Sequence, residues 1–155
     1  MDDETSAKQI TVQIAQLCDK VQTNPAGIEK LVKTVCKNFD LHRAVISIAI
    51  VDDEHICKLN EQFLKDKHNT DCLSFDLSDN QEPDEKCFEI IVNAELADRR
   101  AEEMDHSPQA ELALYITHGL LHQFGYDDQT DKQAEKMHRA AEQILQQLGY
   151  DFVYN

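Results

Sequence analysis

Residues 107–128 read Ser107-PQAELALYITHGLLHQFGYD-Asp128, and their pattern decides the fold. Ser107-Pro108 supplies a helix N-cap followed by a proline preset for the first helical position. From Ala110 to Phe124 the chain is apolar almost all round, so this helix belongs at the centre of a domain and not on its surface. Gly125 ends it by permitting a left-handed backbone.

Outward from that helix, the neighbouring segments alternate between strand and helix periodicity. On the C-terminal side, Thr130-x-x-Gln133 is a capping-box signal. Ala134, Met137, Ala141, Ile144, Leu145 and Leu148 then form an apolar stripe that Gly149 closes. On the N-terminal side, Ile10, Val12 and Ile14 alternate at period two, and Asn24-Pro25 opens a helix carrying Ile28, Leu31, Val32, Val35 and Phe39. Val45–Val51 is β-branched and nearly all apolar, as in a strand covered on both faces. Asp52 or Asp53 caps a short helix with Ile56, Leu59 and Phe63 facing inward. Cys72–Leu77 places Leu73, Phe75 and Leu77 on one strand face. Phe88–Val92 is a fourth strand, followed by a helix over about residues 93–104. The polar run from Ser78 to Lys86 reads as an exposed loop. The order β, α, β, α, β, β, α, α, α predicts an α+β fold with a small mixed four-stranded sheet and five to six helices. One domain over residues 1–155 is expected, with a flexible N-terminus at 1–7.

Composition narrows the function classes. With 41% apolar residues in 155, the chain can build a core without help from a metal or disulfides. Five cysteines, an odd number with no C-x-x-C spacing, read as reduced apolar side chains. No apolar run is long enough to cross a membrane and no signal segment opens the chain, so a cytoplasmic protein is expected. Thirty acidic against fifteen basic side chains give a net charge of -15, which repels polyanions at long range. Non-specific coating of nucleic acid is therefore excluded, whereas a local contact or docking on an RNA–protein particle is not.

The chemistry sits in His118-GLLHQFGYD-Asp128. Histidines four apart project from one helix face, near enough to share a cation. Gly125 lets the chain turn and carry Asp128 back towards them. Two imidazoles and a carboxylate leave a tetrahedral ion one open position, the layout of a catalytic metal site. With seven histidines in the chain, such a pair also arises by chance. Two neutral imidazoles on a buried helix need partners, however, and the glycine stop and carboxylate follow at the right spacing. His118, His122 and Asp128 are thus the expected ligands of one Zn2+ or another divalent ion, since imidazole and carboxylate suit several. Gly119 stands where H-E-x-x-H peptidases place their general base, which argues against peptide hydrolysis. The other histidines (His42, His55, His68, His106 and His138) read as surface or helix-face residues, with His138 able to approach the metal helix.

These residues resemble the YbeY family of metal-dependent endoribonucleases implicated in ribosomal RNA maturation. The family pattern H-G-x-L-H-x-x-G-Y-D-H is matched from His118 through Asp127. Thr70-Asp71-Cys72-Leu73-Ser74-Phe75 resembles T-D-V-L-S-F, Leu59-Asn60 with Phe63 resembles L-N-x-x-Y, and Leu148-Gly149-Tyr150 also fits. The resemblance spans about residues 8–151. It implies a zincin-like fold with the metal helix beneath the sheet, one zinc ion, and a T-D-x-L-S-F strand bordering the substrate cleft. It also implies single-strand-specific cleavage of ribosomal RNA, with a role in ribosome quality control and ribosomal particle proteins as partners. Three positions depart from the family. Asp128 replaces the third histidine ligand, adding negative charge that makes the ion a poorer Lewis acid. Leu64 replaces an arginine thought to hold phosphate, with Lys65 and Lys67 as replacement contacts and Ser74 as a further substrate contact. Phe88-Glu89 replaces glycine–aspartate. His68, Arg99 and Arg100 are additional cations within reach of a phosphate, each equally well explained by solvation. Two alternatives remain open: a non-catalytic metal-containing ribosome-assembly factor, and another metal-dependent hydrolase.

Overall fold

The computed structural model describes residues 9–64, 70–79, 81 and 84–150, with Leu64 described by its backbone. The β-branched run after Arg43 forms strand β2 (Ala44–Val51) at the middle of a four-stranded sheet. Strand β1 (Ile10–Gln16) and strand β4 (Lys86–Asn93) flank it, both parallel to it. Strand β3 (Cys72–Asp76) closes the edge, antiparallel to β4, giving the order β1-β2-β4-β3. The mixed sheet and its strand assignments agree with the sequence pattern. The stretch expected as a flexible terminus, residues 1–7, lies outside the described residues.

Helix α1 (Pro25–Asn38) joins β1 to β2, with Asn24 accepting the Gly27 amide as its N-cap. Helix α2 (Asp53–Leu64) follows β2, and helix α3 (Ala94–Met104) begins directly from β4 with Asn93 as its cap. Helices α4 (Pro108–Gln123) and α5 (Asp131–Gln147) complete the layer. The capping box at the start of α5 is complete, Thr130 and Gln133 satisfying each other's backbone amides.

One sheet face carries the core. Ile46, Ile48 and Ile50 from β2, with Phe88, Ile90 and Val92 from β4, pack against α1, α4 and α5. Helix α4 is the central one, with residues from Ala110 to Leu121 buried apart from His118. The opposite face is thinner. A small cluster of Val51, Ile56, Leu73 and Ile91 lies under α2, with Phe75 and Leu59 at its margin. Two expectations fail on that face. Val45 and Ala49 are half-buried, because α2 reaches across part of the sheet and leaves the rest uncovered. Phe63 is 57% exposed, because it lies in the last turn of α2 and meets Phe75 edge-on at 5.6 Å without being enclosed.

The five cysteines are free, and burial pushes the Cys36 thiol up to about 12, so it serves as a small apolar side chain. Among the described residues no helix is long and apolar enough to cross a membrane.

The spacing between α4 and the sheet is set at Gly119. A Cβ there would stand 2.5 Å from Ile90 Cγ2, nearer than atoms can pack. Position 119 therefore faces the sheet, and no general base could project from it towards a site on the helix's open side. Gly119→Ala should destabilise the fold by about 1–3 kcal/mol through overpacking. In an Ile90→Ala background the same change should become neutral or stabilising by up to ~1 kcal/mol, since the clash is gone and alanine is the better helix former. Urea unfolding of the four proteins in that cycle measures both.

Candidate metal centre

Helix α4 ends one residue after His122. The Phe124 amide donates to the Leu121 carbonyl at 3.0 Å and the Tyr126 amide to the same oxygen at 3.1 Å. Gly125 adopts φ +96°, a left-handed turn that favours glycine. The turn folds the chain back so that the Tyr126 carbonyl lies 3.2 Å from His122 Nδ1, and Asp128 Oδ2 lies 3.9 Å from His122 Nε2. The Tyr126 ring meets Phe39 edge-on at 5.9 Å, which anchors the loop to α1.

His118 sits one turn earlier and deeper. Its Nδ1 faces Asp71 Oδ2 at 3.7 Å, and its Nε2 is buried without a hydrogen-bond partner. The His138 ring, from α5, approaches it with centroids 6.2 Å apart, as its position on the last helix suggested. Burial, and then the His118 ring, lower the pKa of His138. Burial would raise the Asp71 carboxyl, but the His118 imidazole, the Cys72 amide and the Thr70 hydroxyl together outweigh it and hold it below the usual range.

Both imidazoles thus turn Nδ1 towards an oxygen and leave Nε2 as the available lone pair. That donor set suits a divalent ion. The orphaned Nε2 of His118 is costly to bury unless something binds it. The 3.9 Å between His122 and Asp128 is too long for a hydrogen bond and about half an ångström wider than the ~3.4 Å across a tetrahedral ion bonded to both. The side chains are not gathered around one point as they stand. Among the described residues no three His, Cys, Asp or Glu groups converge tightly enough to enclose an ion. The structure brings His122 and Asp128 together, and sets His118 against Asp71.

Ser74 lies on the β3 face that meets α4. Its hydroxyl donates to the Gly119 carbonyl at 2.7 Å and accepts from Gln123 Nε2 at 2.7 Å, so its one proton ties strand to helix. Lys65, Lys67 and His68 lie outside the described residues, as does the side chain of Leu64. Arg99 is committed elsewhere, donating to both carboxylate oxygens of Asp53 at 2.7 and 3.2 Å. His106 corrects the surface reading: its side chain is 5% exposed, with Nε2 2.5 Å from Glu111 Oε1. A single carboxylate on an otherwise apolar helix needs a buried partner, and His106, just before the helix, is placed to provide it.

Asp71 was missed among the candidate site residues, although it stands in the Thr70–Phe75 element. Asn93, fully buried, holds that element in place. Its amide donates to the Asp71 carbonyl at 2.9 Å, and its Nδ2 donates to the Thr70 carbonyl at 3.3 Å and to Asp53 Oδ1 at 2.8 Å. Desolvation, followed by Asp71 and Asp128, pushes the neighbouring Cys72 thiol well up, so it offers no thiolate at neutral pH.

Comparison with known proteins covers most of the chain. The family model described as Endoribonuclease YbeY matches residues 7–149. The Endoribonuclease YbeY of Carboxydothermus hydrogenoformans is 32% identical over 141 residues, covering 90% of this chain and 98% of that protein. Its namesake in Desulfitobacterium hafniense is 34% identical over 127 residues, covering 77% and 81%. The solution structure of TM1509 from Thermotoga maritima shares the fold at a TM-score of 0.55 and 21% identity, covering 90% of this chain and 91% of that one.

The Asp53–Arg99 pair under the Thr70–Asp71 turn makes part of the stability depend on pH. The Arg99 guanidinium lowers the pKa of Asp53 in the folded chain, against a smaller opposing effect of burial and with further help from the Asn93 side-chain amide. A lowered folded pKa means stabilisation that is full above the unfolded value of ~3.9 and is lost as pH falls through the folded value. The stability difference between the native protein and Asp53→Asn should therefore be constant from about pH 5 to 7 and shrink below about pH 4. Urea titrations across that range check the sign.

Proposed function

Because the chain belongs to the YbeY endoribonuclease family, we propose that it is a metal-dependent endoribonuclease that hydrolyses phosphodiester bonds in single-stranded ribosomal RNA during ribosome maturation and quality control. The observation that carries this reading is the pair of imidazoles on α4, each with Nδ1 turned to an oxygen and Nε2 left to bind. His118, His122 and Asp128 are the residues that would hold the ion, with Zn2+ as the expected metal. When bound, such an ion supplies a Lewis acid and lowers the pKa of water at the site.

The chain's own groups orient these donors. The Tyr126 carbonyl receives the Nδ1 proton of His122 and fixes that ring on the loop side. The Ser74 hydroxyl pins the strand that borders the cleft to the helix that carries the histidines. Position 119 contributes no base, because it points into Ile90. With a net charge of -15, capture of RNA rests on local contacts or on ribosomal particle proteins more than on long-range attraction. A cytoplasmic location follows from this role.

A second reading, a non-catalytic metal-containing assembly factor, draws on Leu64, which stands where the family resemblance implies an arginine thought to help hold phosphate. Two variants separate the readings. Zinc-loaded protein should cleave single-stranded ribosomal RNA fragments on a denaturing gel, and His122→Ala should lose more than about a hundredfold, beyond the usual loss for an outer partner. Equal cleavage by both proteins would expose a contaminating nuclease. Leu64→Arg should raise the cleavage rate by about tenfold or more, as a charge-assisted contact to phosphate is worth ~1.5–3 kcal/mol. A native chain and Leu64→Arg variant that both leave RNA intact while binding zinc would favour the assembly factor.

A further inference from the structure

The two imidazoles are held by different partners. His122 turns Nδ1 to a neutral carbonyl, that of Tyr126, at 3.2 Å. His118 turns Nδ1 to a carboxylate, Asp71 Oδ2, at 3.7 Å. The longer contact is electrostatic, about half an ångström beyond hydrogen-bonding range.

The Asp71 carboxylate is itself fixed. Its Oδ1 accepts from the Cys72 amide at 2.8 Å and from the Thr70 hydroxyl at 3.3 Å, which leaves Oδ2 for His118. The backbone beneath it is clamped by Asn93, whose amide and side chain reach the Asp71 and Thr70 carbonyls. Asn93 is wholly buried and also caps α3, so the clamp is built into the junction of β4 and α3. These bonds hold one carboxylate oxygen in place while the side chain stays 31% exposed.

A neutral imidazole carries one N–H proton. Facing a fixed anion at Nδ1, that proton resides on Nδ1, and the lone pair is forced onto Nε2. That nitrogen is the one the structure leaves buried and without a partner. We propose that Asp71 is a positioning residue: it fixes the Nδ1–H tautomer and the orientation of His118, and so makes Nε2 the metal-binding atom. Asp71 does not itself bind the ion, because it meets the ring at Nδ1, whose lone-pair direction diverges from that of Nε2. The charge makes His118 the stronger donor of the pair, since His122 has a neutral partner. This inference rests on the metal reading above for its purpose, and its test separates the two.

Asp71→Asn is the decisive variant. Its oxygen keeps the Cys72 amide, and its NH2 then occupies the Oδ2 position and presents a proton to Nδ1 of His118. A donor there drives the ring into the Nε2–H tautomer, as carboxylate-to-amide exchange behind a histidine does in serine proteases. Long-range 1H–15N correlation spectra of the metal-free protein near pH 8 read the tautomer directly, without any metal or activity. The native chain should show His118 protonated at Nδ1, and Asp71→Asn should show it protonated at Nε2. Asp71→Ala, which offers neither donor nor acceptor, should show a mixture and serves if the amide variant does not fold. Zinc affinity, measured by competition with a chromophoric chelator, should fall about 10–100-fold in Asp71→Asn. A His118 that stays Nδ1-protonated in either folded variant would overturn the proposal, as would unchanged zinc affinity in Asp71→Asn. A native chain that fails to bind zinc while its His118 tautomer still responds to Asp71 would sink the metal reading and leave Asp71's hold on the ring established.

Discussion

Helix α4 lies against β4 at a separation that admits no side chain at position 119. The contacts that tie the helix to the sheet edge depend on that close approach. It brings the Gly119 carbonyl within reach of the Ser74 hydroxyl, and Gln123 within reach of the same oxygen. It also draws the start of β3 alongside His118, so that a carboxylate from the sheet edge can address an imidazole from the helix. A larger residue at 119 would lift the helix away, and those contacts would be lost together, because packed cores have no slack to absorb an extra methyl group.

The site is built from carboxylates and imidazoles within a strongly acidic chain. Asp71 stands behind His118 and Asp128 faces His122, so the histidines lie between two negative charges. This arrangement suits a divalent cation and is unfavourable for a polyanion.

Buried polar groups extend along α4 behind the site. Glu111, Tyr115, His118 and His122 follow each other at spacings of four, three and four, so they share one side of the helix. Glu111 is in contact with His106, and burial, followed by Glu111, pushes the Tyr115 hydroxyl up. A helix that reads as uniformly apolar in sequence thus carries a polar seam, and the seam leads to the end that carries the histidine pair.

Sequence by itself determined the elements and their chemistry. Period-two and period-3.6 patterns, the caps at Asn24, Ser107 and Thr130, and the glycine stop at Gly125 are local signals, and the folded chain keeps each of them. The histidine pair and the following carboxylate were legible for the same reason, since their spacing is set by one turn of helix and one loop. The partners of those groups were not. Asp71 is 47 positions from His118, and Asn93, Asp53 and Arg99 join its support from three further elements. Such pairings depend on strand order and on how closely a helix meets a sheet, and neither is written in the spacing of residues along one segment. Tertiary structure alone therefore decided which nitrogen of His118 is left free, that Phe63 stays exposed, and that His106 is buried.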